Sequence, residues 1–233
     1  MQPEPTIFAL GGGGGMMEPD NPLLDDFMLS LADVDAPKIA LLPTAAADSD
    51  NTIRRFYDAF VGKARPSYLP LYRRDRPAEM LLEQDIIFVT GGNTVNALAI
   101  WRAHGVDTIL RQCWEKGIVL AGISAGSLCW FHGGITDSFR VKEMDPLLDG
   151  LGFLPGSHCP HYDGEPQRRP LYTRFVSSGT IPPGVAATDG AGLLYRGTTL
   201  KQVVTSQADA AAWRVDEQGQ HHPLPATWLG RDT

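Results

Sequence analysis

Apolar positions in this chain fall into two kinds of run, and the two kinds alternate. Residues 6–10, 38–42, 86–89 and 118–122 are short, nearly continuous apolar stretches. That pattern predicts strands buried on both faces, as in a parallel sheet, rather than strands with one wet side. Between them, Leu23, Leu24, Phe27, Met28 and Leu31 recur at helical spacing, as do Ile53, Phe56, Tyr57 and Phe60. Asn21-Pro22 offers the first of these helices an N-cap and a first-turn proline. A shorter strand is expected around 67–71. One helix is expected to end at His104, stopped by Gly105, and another over 106–116, closed by Gly117. Strands alternating with helices predict an α/β protein.

Beyond Ser124 the rhythm changes. A short helix over 125–131 runs into Gly133-Gly134 and an irregular stretch to about 155. A helix is expected over 166–176, then short strands at 185–188, 193–196 and 202–204, with one more over 210–215. No repeat and no linker interrupts the chain, so 1–233 reads as a single domain.

Composition narrows the function classes. With 43% hydrophobic and 20% charged residues, the 233-residue chain can bury a sizeable core and is no disordered or coiled-coil protein. A net charge of −7 works against a nucleic-acid or anionic-membrane partner, either of which needs a basic face. Cys113, Cys129 and Cys159 form no CxxC pair, so neither a disulfide framework nor a zinc ribbon is indicated. The beginning, Met1-Gln2-Pro3-Glu4-Pro5, has no basic segment leading into a long apolar one. The expectation is a soluble, cytoplasmic protein with no membrane partner, compatible with a homo-oligomer.

The segment with most chemical content is Gly122-Ile123-Ser124-Ala125-Gly126, a G-x-S-x-G between a buried strand and a helix. Small neighbours let the backbone turn sharply and lift the Ser124 hydroxyl off the carboxyl end of the strand. The Ala125 amide then points where an oxyanion would form. Gly91-Gly92, after another central strand, would let the backbone approach a substrate closely, with the Gly92 amide as second oxyanion donor and Asn93 at the substrate's polar end. A serine nucleophile needs a base, and the base needs an orienting carboxylate. Of six histidines, His158 and His161, at a strand end entering a loop, are the best placed. The run Gly11 to Gly15 lacks both the G-x-G-x-x-G register and a following G-K-[ST], so it is read as a turn or close packing point. No third ligand accompanies the two histidines, so no metal and no cofactor are expected.

Thr90-Gly91-Gly92-Asn93-Thr94, then Gly122-Ile123-Ser124-Ala125-Gly126, then Pro160-His161-Tyr162 resemble, in order and spacing, the motifs of peptidase E. That family of serine exopeptidases comprises aspartyl dipeptidases, with cyanophycinases as relatives and a fold similar to class I glutamine amidotransferases. The resemblance implies a catalytic set of Ser124, His161 rather than His158, and an acid after the histidine. The family's acid is a glutamate; the matching residue here is Asp189, one methylene shorter, so the histidine loop has to sit closer, and Asp137 is the rival acid, with Asp189 favoured because it follows a buried strand. Cleavage after an amino-terminal aspartate calls for a cation, and Arg168 and Arg169 lie just past the base. The resulting expectation is a flavodoxin-like three-layer α/β sandwich with a mostly parallel central sheet. It would hydrolyse short peptides through an acyl-enzyme. The rival readings are a cyanophycinase-like or other-specificity exopeptidase, and an amidotransferase-like binding module without turnover.

Overall fold

The continuous apolar runs become the middle of one large sheet. In the computed structural model, residues 4–72, 78–140 and 143–230 are described. The chain begins with β1 (Thr6–Leu10), α1 (Leu23–Ser30), β2 (Lys38–Leu42), α2 (Asp50–Phe60) and β3 (Arg65–Tyr68). It continues through β4 (Ile86–Val89), α3 (Thr94–His104), α4 (Val106–Glu115), β5 (Val119–Ile123) and the short α5 (Ala125–Leu128). Then come β6 (Phe131–Thr136), β7 (Asp145–Leu147), β8 (Leu154–Cys159), α6 (Arg168–Ser177) and β9 (Gly184–Ala187). The last elements are β10 (Ala191–Arg196), β11 (Thr199–Thr205), β12 (Ala212–Val215), β13 (His221–Pro223) and β14 (Ala226–Trp228).

Eight strands form the large sheet in the order β14-β11-β10-β1-β5-β4-β2-β3. From β1 to β3 every pairing is parallel, with Leu10 opposite Ile123 and Val89 opposite Gly122. Successive side chains of each strand enter different cores, which is why those runs carry no polar alternation. Phe8, Leu10, Ile39, Leu41, Ile86 and Phe88 pack with Leu24, Phe56 and Phe60 of α1 and α2. Ile7, Ala9, Ala40, Leu42, Ile87 and Val89 pack on the other side with Leu98, Trp101 and Leu110 of α3 and α4. The result is a flavodoxin-like α/β sandwich with a mostly parallel sheet.

A second, six-stranded sheet, β13-β12-β9-β8-β6-β7, shares the α3–α4 side of that core through Phe131, Leu147, Leu154, Val185 and Ala187. Its far face packs on α6 through Tyr172 and Val176. This layer corrects the sequence-based expectation downstream of Ser124. The helix after Ser124 stops at Leu128, and residues expected to be irregular form β6 and β7. Gly133-Gly134 reads as a breaker, yet glycine is what the strand requires there. A Cβ on Gly134 would sit 2.1 Å from the His158 carbonyl oxygen of β8. The first helix is also capped differently: Pro22 occupies the N-cap without a side-chain bond, and Asn21 turns its amide to Glu18 and the Ser206 carbonyl. The strand expected at 67–71 lies at Arg65–Tyr68. Among the described residues no helix is long and apolar enough to cross a membrane.

Candidate active site

β5 enters the site fully buried and ends at Ser124, whose backbone is forced to φ 57° and ψ −116°. A non-glycine residue pays strain to sit there, and that strain turns the chain from strand to α5 within one residue. The small residues around Ser124 make the turn possible. A Cβ on Gly126 would stand 2.2 Å from the Val89 carbonyl oxygen, and one on Gly122 equally close to that of Gly126. Ala125 opens α5, so its N–H has no acceptor within the helix.

On the neighbouring strand, β4 ends in Thr90-Gly91-Gly92. Gly92 takes φ +133°, a conformation that L side chains rarely adopt, and a Cβ there would lie 2.1 Å from the Ala45 carbonyl oxygen. Gly92, Ala125 and Ser124 line one cavity of about 240 Å³ at the carboxyl edge of the sheet. Asn93 does not line it. Its side chain caps α3, accepting from the Asn96 amide at 2.8 Å and donating to the Ser138 carbonyl at 3.0 Å.

His161 reaches the same cavity from the second sheet, in the loop after β8. It too has a positive φ, 51°. Its N–H donates to the Gly11 carbonyl at 3.0 Å, and the Tyr162 N–H to the Ala187 carbonyl at 3.1 Å. The imidazole Nδ1 lies 2.5 Å from Asp189 Oδ1, leaving Nε2 as the free ring nitrogen. No direct hydrogen bond joins the Ser124 hydroxyl to His161 among the described residues; such bonds commonly tighten only once substrate is bound. Asp137, the rival acid, is exposed on the cavity wall, and among the described residues no hydrogen bond or ion pair joins it to His161. His158 is fully buried and points elsewhere.

The glycine run closes the back of the His161–Asp189 pair. A Cβ on Gly12 would meet Asp189 Oδ1 at 1.9 Å and His161 Cε1 at 2.9 Å. Gly12 also accepts from the Gly190 N–H at 3.0 Å, next to the acid. The run is a close packing point, as its composition suggests, but no local signal in the sequence names its packing partner, the His161–Asp189 pair. The far end of the loop is tied by the Gly15 N–H to the buried carboxylate of Asp25, and burial raises that group to about 6.

The two arginines separate. Arg168 lines the cavity and is 6% exposed. Its Nε is buried without a hydrogen-bond partner, and its guanidinium stands 3.6 Å from Glu165, which sequence reasoning left unassigned. Arg169 turns away, bonding His221 Nδ1 at 2.8 Å and lying over the rings of Tyr162 and Trp213. The thiols offer no competing nucleophile: all three are buried, and burial pushes Cys113 and Cys159 up to about 12. Among the described residues, no cluster of three His, Cys, Asp or Glu could hold a metal ion. A larger cavity of about 700 Å³, bordered by Glu4, Lys116 and Arg196, lies at the opposite end of the strands, away from Ser124.

Comparison with known proteins bears on this arrangement. Residues 7–203 match the model of peptidase family S51. An uncharacterized peptidase, YgaJ, of Bacillus subtilis (strain 168) is 46% identical over 232 residues, which cover 96% of this chain and 99% of that protein. Peptidase E of Pasteurella multocida (strain Pm70) is 27% identical over 153 residues, 62% of each chain. A crystal structure of a peptidase from an acI-B1 actinobacterium has the same fold, with a TM-score of 0.73 at 20% identity over 97% of this chain and 96% of that one.

Proposed function

This chain belongs to peptidase family S51 and is a hydrolase of peptide bonds, and from that premise we propose that it is a serine exopeptidase cleaving short peptides after an amino-terminal acidic residue. Ser124 attacks the scissile carbonyl. His161 Nε2 takes the hydroxyl proton and returns it to the leaving amine, and water then releases the acyl group by the same route. Asp189 fixes the ring tautomer and stabilises the imidazolium. The Gly92 and Ala125 amides hold the oxyanion, each worth roughly 3 kcal/mol in comparable sites. The observation that carries this reading is the His161–Asp189 pair, at 2.5 Å, opening onto the cavity that holds the strained Ser124.

Arg168 supports the acidic specificity. A nearly buried guanidinium with an unpartnered Nε has lost hydration that Glu165, at 3.6 Å and itself 44% exposed, restores only in part. A substrate carboxylate completes the pairing with charge-assisted hydrogen bonds. Asp137, exposed on the same cavity wall, is assigned to the substrate's α-ammonium. Three free, buried thiols fit the cytoplasmic setting that this reading gives the protein.

The test is hydrolysis of Asp-X, Glu-X, Asn-X and Ala-X dipeptides by wild type, Ser124→Ala and Arg168→Ala. Asp-X is expected to be cleaved fastest, and Ser124→Ala to lose at least about a thousandfold in kcat at an unchanged melting temperature. Arg168→Ala is expected to raise KM for Asp-X and leave Ala-X untouched. Serine-dependent cleavage that ignores the first residue would keep the triad and discard the acidic specificity. Turnover that survives Ser124→Ala would discard the nucleophile.

A further inference from the structure

Behind the nucleophile, on the side away from the cavity, lies a polar chain that neither Ser124 nor its base uses. Ser127 and His158 are both fully buried. His158 Nδ1 stands 2.9 Å from the Val185 carbonyl oxygen, and its Nε2 3.1 Å from Ser127 Oγ. Ser127 Oγ lies 2.8 Å from the carbonyl oxygen of Ser124. That oxygen also accepts the N–H groups of Ser127 at 3.0 Å and Leu128 at 2.9 Å.

Counting protons shows what the arrangement asks of Ser127. A carbonyl only accepts, so Nδ1 carries the ring proton. Burial pulls His158 down to about 4, outweighing the hydrogen bond to Val185 that favours its charged form, with the Arg168 guanidinium adding to the effect. The ring is therefore neutral near pH 7, and Nε2 is a bare lone pair. One hydroxyl proton thus faces two acceptors, His158 Nε2 and the Ser124 oxygen. A serine bonding back to the carbonyl three residues earlier is ordinary in a helix. Here, however, the carbonyl belongs to the Ser124–Ala125 peptide, both of whose residues line the cavity. A hydrogen bond accepted at the oxygen of an amide polarises it and strengthens the N–H as a donor.

We propose that Ser127 is a positioning residue of the oxyanion hole, its hydroxyl holding and polarising the Ser124–Ala125 peptide while buried His158 competes for the same proton. Ser127 touches neither substrate nor reacting atoms; it acts through the Ala125 amide. The inference rests on the acyl-enzyme reading of Ser124. It concerns charge that develops in the transition state, so it belongs in kcat and not in the binding of uncleaved substrate.

The experiment uses the full chain, the dipeptide it cleaves best, and the amino aldehyde of that dipeptide's first residue as a probe, since its hemiacetal oxygen occupies the oxyanion position. Ser127→Ala is expected to lower kcat roughly five- to tenfold, less than the hundredfold or more of a lost direct donor, at an unchanged KM. The aldehyde is expected to bind more weakly by the same factor. Ser127→Cys, near in size but a weaker donor, is expected to fall between, and it serves alone if the alanine variant does not fold. A rise in KM with kcat unchanged overturns the assignment, as does a fall in kcat with aldehyde affinity unmoved. Ser124→Ala separates the two levels. Turnover persisting there removes the acyl-enzyme reading itself, whereas Ser124-dependent turnover with Ser127→Ala at wild-type kcat and aldehyde affinity removes only the role of Ser127.

Discussion

The two sheets contribute unlike halves of the site. On the function proposed above, the large sheet would supply the nucleophile and both oxyanion amides from the ends of β4 and β5, adjacent parallel strands with Val89 opposite Gly122. These parts are backbone devices: a strained φ at Ser124, a positive φ at Gly92, and glycines where a Cβ would strike a carbonyl. The second sheet would supply the base and the acid, His161 and Asp189, from the ends of β8 and β9, also parallel neighbours, with Cys159 opposite Ala186. There the chemistry is carried by side chains, and the loops that bear them are stitched to Gly11 and Gly12 of the first sheet. A nucleophile can therefore be prepared by one short segment, whereas its base is prepared only by segments meeting from a distance.

That difference is most sharply tested at the acid. Asp189→Asn leaves a hydrogen bond to His161 but favours the wrong tautomer, and kcat is expected to fall by three to four orders of magnitude, about the loss such a change causes in serine triads. Asp137→Asn is expected to raise KM and to cost less than about tenfold in kcat. The opposite ranking would transfer the acid to the loop after β6.

Gly12→Ala probes the contact between the two halves. Its Cβ would lie 1.9 Å from Asp189 Oδ1, so the acid or the glycine loop has to move. A misplacement of that size is expected to cost roughly a hundredfold in kcat. Gly62→Ala is the control for a substitution that strains the backbone without a clash, since Gly62 has a positive φ, +86°, which Gly12 lacks, and open space around it. It is expected to lose only about 1 kcal/mol of stability and no activity. A Gly12→Ala variant that keeps wild-type activity, as Gly62→Ala is expected to, would mean that the close approach to Asp189 does not hold the two halves together.

The smallest effect is thermodynamic and distinguishes the halves by sign. Asp25, under the large sheet on α1, is raised by burial from 3.8 to about 6. Its contribution to stability is fully present below about pH 4 and is lost as pH rises through 6. His158, on β8, is lowered from 6.5 to about 4. Its contribution is present above pH 6.5 and is lost as pH falls toward 4. The two oppose each other across the same window, each worth about 3 kcal/mol. Denaturant titrations are expected to show a nearly flat balance in wild type, a loss on acidification in Asp25→Asn, and a gain in His158→Phe. Matching profiles in the two variants would mean that one of these groups does not titrate in the folded protein as its burial requires.

The same division governs what could be read from the amino acids. The central parallel strands β1, β2, β4 and β5 were legible because burial on both faces is written locally, in runs such as Ile86-Ile87-Phe88-Val89, whereas the edge strand β14 carries no such run. The elbow at Ser124 was legible because a sharp turn needs small residues within two positions. β6 and β7 were not, because Gly133 and Gly134 carry no sign of whether they break a strand or make room for one. Only the carbonyls of Leu147 and His158, brought alongside by pairing, decide it.

The sequence by itself determined the α/β alternation, the placement of Ser124 at a strand end and the short list of its partners. Which of those candidates lie against one another is set by tertiary structure. His161 and Asp189 are 28 residues apart, and they pair because β8 and β9 lie side by side with Gly12 open behind them. Arg168 and Arg169 are chain neighbours, yet Arg168 shares a buried stripe with Tyr172 and Val176 while Arg169 falls off it. Local patterns record how each segment meets water. They hold no record of which distant segment fills the space beside it, and that contact sets the phase of a helix or the reach of a carboxylate.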